Sequence, residues 1–176
     1  MPRMYPDPDF QAAVEWLLAT EGGYVNDPAD AGGETNFGIS KRAYPKLDIK
    51  NLTEAQAWTI YYNDYWINGR CYNLPLPLAW ALFDASVNHG IRRAVTILQA
   101  ELGGLRVDGI NGPKTQAAAN ASDAGAVLVK FLTRRSLLYH DLVTANSTRA
   151  RFLTGWLTRL FALQRAIYEH NPGDTQ

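Results

Sequence analysis

The chain has 176 residues, 47% of them apolar, with 17 Lys and Arg balanced by 17 Asp and Glu. That suits one domain, or a small catalytic unit with an appended subdomain, and the lack of a basic stripe excludes a typical nucleic-acid binder. One cysteine, Cys71, excludes an intramolecular disulfide, and no apolar run is long enough to span a membrane.

The opening Met1-Pro2-Arg3-Met4-Tyr5-Pro6-Asp7-Pro8-Asp9 has no apolar signal-peptide core. It predicts synthesis in the cytoplasm, and delivery by other machinery if the target lies outside. Asp7 or Asp9 is placed to cap a first helix over about 8–21. Phe10, Val14, Leu17 and Leu18 set its core-facing stripe, and the next position in that series holds Glu21. Partial desolvation would raise the pKa of this carboxyl and suit it to general acid work. A surface carboxylate at a fraying helix end would occupy the same position. Gly22 and Gly23 stop the helix. The segment to Gly38 then gathers Asp27, Asp30 and Glu34 with the neutral hydrogen-bonding groups of Thr35, Asn36 and Ser40.

Glu21-Gly22-Gly23-Tyr24, followed by Asn26-Asp27-Pro28-Ala29-Asp30 and Gly32-Gly33-Glu34-Thr35-Asn36-Phe37-Gly38-Ile39, resembles the signature of the glycoside hydrolase family 108 N-acetylmuramidases. The resemblance implies that Glu21 is the catalytic acid. The order Glu21, Asp30, Thr35 is also similar to that of phage T4-type lysozymes, with the Thr one residue early. It implies that Asp30 stabilises positive charge or positions water, and that Thr35 helps hold that water. Asp27 and Glu34 compete with Asp30 for this second role. Tyr24 and Asn36 are expected to contact substrate.

Little regular strand is expected in this loop, then a short helix over 39–44 that Pro45 interrupts. Thr53 and Gln56 form a capping box that opens a helix to about 67. Trp58, Tyr61, Tyr62, Tyr65 and Trp66 fall at offsets 0, 3, 4, 7 and 8 along it, one broad aromatic face. Core packing is the default meaning of such a face. Tyr65 and Trp66 are the rings placed to stack on a sugar. Pro77 opens a helix over 77–89. There Asp84-Ala85-Ser86-Val87-Asn88-His89-Gly90 resembles a second element of the same family, with Asp84 and Asn88 one turn apart as candidate substrate contacts. Mutual hydrogen bonding on the helix surface is the competing reading.

A helix over 91–102 follows. Asp108-Gly109-Ile110-Asn111-Gly112-Pro113-Lys114-Thr115 then resembles the core motif of peptidoglycan-binding domains, and Pro113 opens another helix. Helices over 123–144 and 147–170 complete the chain, before a polar tail. The second carries Phe152-Leu153-Thr154-Gly155-Trp156 and Arg159, which resemble the end of that subdomain. Residues 1–75 carry 6 cationic against 10 acidic side chains, and residues 76–176 carry 11 against 7. The basic second half suits an anionic polymer. His89, His140 and His170 have no metal-ligand spacing, so neither a metal nor a cofactor is expected.

Together these features predict a mainly α, lysozyme-like fold with a small irregular β-hairpin at the site. The expected parts are a catalytic region over 8–102 and a helical peptidoglycan-binding-type subdomain over 103–170. Their cleft is expected between the first helix with its loop and the aromatic and Asp84/Asn88 helices. The implied activity is cleavage of the β-1,4 bond between N-acetylmuramic acid and N-acetylglucosamine, by a monomer, in phage-type host lysis after holin- or secretion-dependent release. Rivals are a lytic transglycosylase on the same bond, a non-catalytic wall-binding protein and a helical scaffold.

Overall fold

The computed structural model describes residues 5–20, 23–26 and 33–170. Its order is α1 (Pro8–Thr20), β1 (Thr35–Asn36), β2 (Ile39–Ser40), α2 (Glu54–Ile60), α3 (Leu76–His89), α4 (Ile91–Leu102), α5 (Pro113–Asn120), α6 (Ala124–Ala145) and α7 (Ala150–His170). The protein is mainly α, as the sequence predicts, with one two-stranded antiparallel hairpin. The chain divides into two compact units, 1–64 and 65–176.

In the first unit, Asp7 caps α1: its Oδ1 accepts from the N–H groups of Asp9 (3.0 Å) and Phe10 (3.1 Å). Phe10, Val14 and Leu17 are fully buried along one face. Phe10 meets Trp58 edge-on at 6.0 Å and Tyr62 at 4.9 Å, so α1 docks on α2 and the segment after it through rings. The capping box forms, with Gln56 N–H donating to Thr53 Oγ1 and Thr53 N–H to Gln56 Oε1.

Two expected helices are corrected. Over 39–44 the chain enters β2, because Phe37 (φ 51°) and Gly38 (φ 75°) both take left-handed backbone and fold β1 back on β2. Two positive φ values at the centre of a two-residue turn fit the twist of a hairpin. The helix beginning at Glu54 stays α only to Ile60 and is a π-helix over Tyr61–Ile67. Its wider turn brings positions five apart onto one side. Accordingly Tyr61 and Trp66, five apart, are the two rings of this segment that are 1% exposed.

The second unit is built around α3. Every residue from Pro77 to Ser86 is buried, and α4, α6 and α7 pack on it. Asp123 caps α6. Gly90 (φ 81°) ends α3 and starts α4 within a single residue.

Candidate active site

Glu21 and Asp30, with the competitor Asp27, lie outside the described residues. What is described is the frame around them. The Val25 and Thr35 backbones exchange two hydrogen bonds of 2.8 Å, which close the intervening loop. Thr35 also pairs with Ser40, and Asn36 with Ile39. Asn36 and Ile39 are buried while Thr35 and Ser40 are half-buried, the alternation of a pleated ribbon. Thr35 therefore sits on the hairpin's outer face, with its backbone tied on both sides.

Tyr24 is 39% exposed and donates its hydroxyl to Glu34 Oε2 at 3.1 Å. Desolvation and then the Glu34 carboxylate push this phenol above its usual range. Sequence reading did not pair these two, because ten positions of irregular loop separate them. Asn36 is 7% exposed, and its amide reaches the carbonyls of Ile49 (3.1 Å) and Leu52 (3.4 Å). It anchors the hairpin, so its side chain is already engaged inside the first unit.

In the second unit, Trp66 is enclosed and meets Phe83 edge-on at 5.5 Å, which places it in the core. Tyr65 is half-buried. Asp84 is 1% exposed, with Arg135 Nη1 2.7 Å from its Oδ2 and Arg159 Nη2 2.9 Å from its Oδ1. Burial would raise this carboxyl, but the two guanidiniums outweigh it and hold it below the usual carboxylate range. Asn88 is exposed and its amide bonds back to Asp84 O at 2.7 Å. Of this pair only Asn88 presents itself to solvent. Arg135 was not singled out from sequence, although a signal existed. It lies on the stripe Leu128, Phe131, Leu132, Tyr139, where a charge faces the core.

The motif Asp108–Thr115 is organised by Gln99, which is 2% exposed. Gln99 Nε2 lies 2.9 Å from Asp108 Oδ1, 3.1 Å from Ile110 O and 3.0 Å from Thr115 Oγ1. Its Oε1 accepts from the N–H groups of Asp108 and Gly109. Gly109 takes φ 76°, and a Cβ there would meet Arg92 Cγ at 2.5 Å. The motif residues thus build the loop. Leu105, Arg106, Ile110 and Lys114 border a concavity of about 390 Å³ beside it. Among the described residues no group of three or more His, Cys, Asp or Glu could hold a metal, and no helix is long and apolar enough to cross a membrane.

Residues 14–90, which include every candidate named from Glu21 to Asn88, match Glycosyl hydrolase 108. Residues 93–161 match the family described as Predicted Peptidoglycan domain. Twelve solved chains match. One is the structure of Brucella abortus SagA, with 31% identity and a TM-score of 0.77, over 90% of this chain and 93% of that one. No curated protein matches. The chain belongs to the glycosyl hydrolase 108 family and is a peptidoglycan hydrolase, a glycosidase joined to a peptidoglycan-binding-type segment.

Proposed function

We propose that Glu21 protonates the leaving oxygen of the β-1,4 link between N-acetylmuramic acid and N-acetylglucosamine. Asp30 stabilises oxocarbenium-like charge or positions water, and Thr35 holds that water. The observation that carries this reading is the family match over 14–90, which spans all three residues. The outer-face position of Thr35 on a tied hairpin supports its part. Glu34 is the alternative second carboxylate, and its contact with Tyr24 gives it a fixed orientation. Tyr24, Tyr65 and Asn88 are the substrate contacts favoured by exposure. Asn36, Trp66 and Asp84 are buried, each within its own unit, and Asp84 accepts from the Asn88 amide. The functional parts are a catalytic region over 8–102 and a wall-binding subdomain over 103–170.

Mass spectrometry of fragments released from purified peptidoglycan tests the reading. Hydrolysis leaves reducing-end N-acetylmuramic acid. Anhydro ends instead would identify a lytic transglycosylase, and reducing-end N-acetylglucosamine would overturn the bond assignment. Glu21→Gln should abolish release while the fold is kept, and substantial residual activity would remove Glu21 from the acid role. The similarity to T4-type lysozymes supports a phage-type lytic setting, with synthesis in the cytoplasm, release by a holin or secretion route, and action as a monomer. Sedimentation of the purified chain and lysis of permeabilised cells check the last two.

A further inference from the structure

At the junction of α3 and α4 the second unit has a concavity of about 520 Å³, lined by His89, Gly90, Ile91, Arg92, Arg93 and Thr96. Gly90 is exposed, with φ 81° and open space where a Cβ would stand. None of the lining residues is acidic. Arg92 and Arg93 are exposed, and among the described residues neither forms an ion pair.

A charged cluster lies behind the concavity. In this largely buried cluster one carboxylate, Asp84, meets the guanidiniums of Arg135 and Arg159. The cluster reaches the concavity through Tyr139, whose hydroxyl is 3.3 Å from Arg135 Nη2 and 3.3 Å from His89 Nε2. Burial first, then Arg135, with Arg93 and Arg159 adding and Asp84 opposing, bring the His89 imidazole down to about 4. Burial disfavours either sign of charge at this ring, and only the arginine contribution favours an anion beside it.

Rings continue from the same place. His89 packs on Tyr139 at 5.6 Å. Tyr139 stacks on Trp156 at 5.0 Å, and Trp156 on Phe152 at 5.9 Å. Phe152 is 46% exposed, with the Arg151 guanidinium 4.6 Å from its ring centre. Core packing does not require the outermost ring of this ladder to face water.

We propose that this concavity is a carboxylate-binding subsite for peptidoglycan, in which Arg92 and Arg93 take the anion and the exposed edge of the ring ladder takes the apolar face of an adjoining sugar. Guanidinium forks match carboxylate geometry. The subsite rests on the reading of peptidoglycan as the polymer bound. Two sources supply the same chemistry. The lactyl carboxyl of muramic acid is free in peptide-free glycan and tied up as an amide where a stem peptide is attached. The stem peptide then brings carboxylates of its own.

The test uses the full chain carrying Glu21→Gln, so that ligand is not consumed, and three probes. These are the peptide-free N-acetylglucosamine–N-acetylmuramic acid disaccharide, the same disaccharide bearing a stem peptide, and the free stem peptide. Arg92→Gln with Arg93→Gln should weaken binding about tenfold or more, with the melting temperature unchanged. Loss confined to the peptide-free disaccharide assigns the lactyl carboxylate. Loss on the two peptide-bearing probes assigns the stem. Arg93→Gln alone, which does not touch Gly109, should move in the same direction. Unchanged affinity of the double variant for all three probes overturns the subsite. Fragment release by the unaltered chain is read separately. Release together with unchanged binding sinks the subsite alone, and arginine-dependent binding without release sinks the hydrolytic reading alone.

Discussion

Asp84 and Arg135 lie 2.7 Å apart with side chains 1% and 0% exposed, and each comes from a stretch that a different family matches. A buried charge loses its solvation, and only its partner and hydrogen bonds offset that loss. Asp84→Asn would leave two guanidiniums without their shared counter-charge. Removing one partner of a buried pair typically costs about 3–5 kcal/mol. Urea unfolding should show a midpoint lowered accordingly, and a change within error would mean the cluster tolerates the loss.

The same pairing predicts that the stretch matched by the glycosidase family does not fold alone. Residues 1–92 retain α3 but lose α4, α6 and α7, which cover it. The faces of α3 that those helices cover would then meet water, while Phe83 would keep Trp66. Circular dichroism of this fragment should show no cooperative thermal transition. A sharp transition would separate the two stretches as independent folding units.

His89 makes stability depend on pH. Its folded pKa is near 4 against 6.5 for the ordinary imidazole. Between those values the unfolded chain takes up a proton that the folded chain refuses, so stability should fall as pH drops from about 6.5 to 4. Asp84, held low by its arginines, adds a loss at still lower pH, as it is forced to protonate. Denaturant midpoints measured across this range in the parent and in His89→Gln should differ in slope, the variant being flatter. Parallel curves would remove His89 from the effect.

Tyr61 donates its hydroxyl to the Phe37 carbonyl at 2.7 Å. A bulky residue at positive φ is strained by about 1–3 kcal/mol and persists where its surroundings hold it. Tyr61→Phe should cost about 0.5–1.5 kcal/mol of stability. It should also lower hydrolysis by more than the stability loss accounts for, because the turn it holds carries Thr35. Turnover and unfolding measured on the same preparation decide this.

Legibility in the sequence followed the range of the interactions. The caps of α1 and α2 were readable because Asp7 and Thr53 act within three positions. The amphipathic helices were readable because their stripes repeat. The strand at Ile39–Ser40, where a helix was expected, was missed because Phe37 is an unusual residue for left-handed backbone, and what holds it there is a hydroxyl 24 positions away. The π-helical stretch was missed because aromatic offsets of 3, 4, 7 and 8 read as α, whereas packing selected Tyr61 and Trp66 at a spacing of five. Asp84 was legible as notable, but its meaning lay in arginines 51 and 75 positions further on.

The Gln99 amide separates how its loop is built from what the loop shows to water. Asp108, Gly109, Ile110 and Thr115 meet it through backbone groups or short side chains. The side chains of Arg106, Ile110 and Lys114 stay exposed at the rim. Exchanges at those three positions therefore cost the scaffold little, and relatives facing walls of different chemistry can drift there while the frame beneath stays the same.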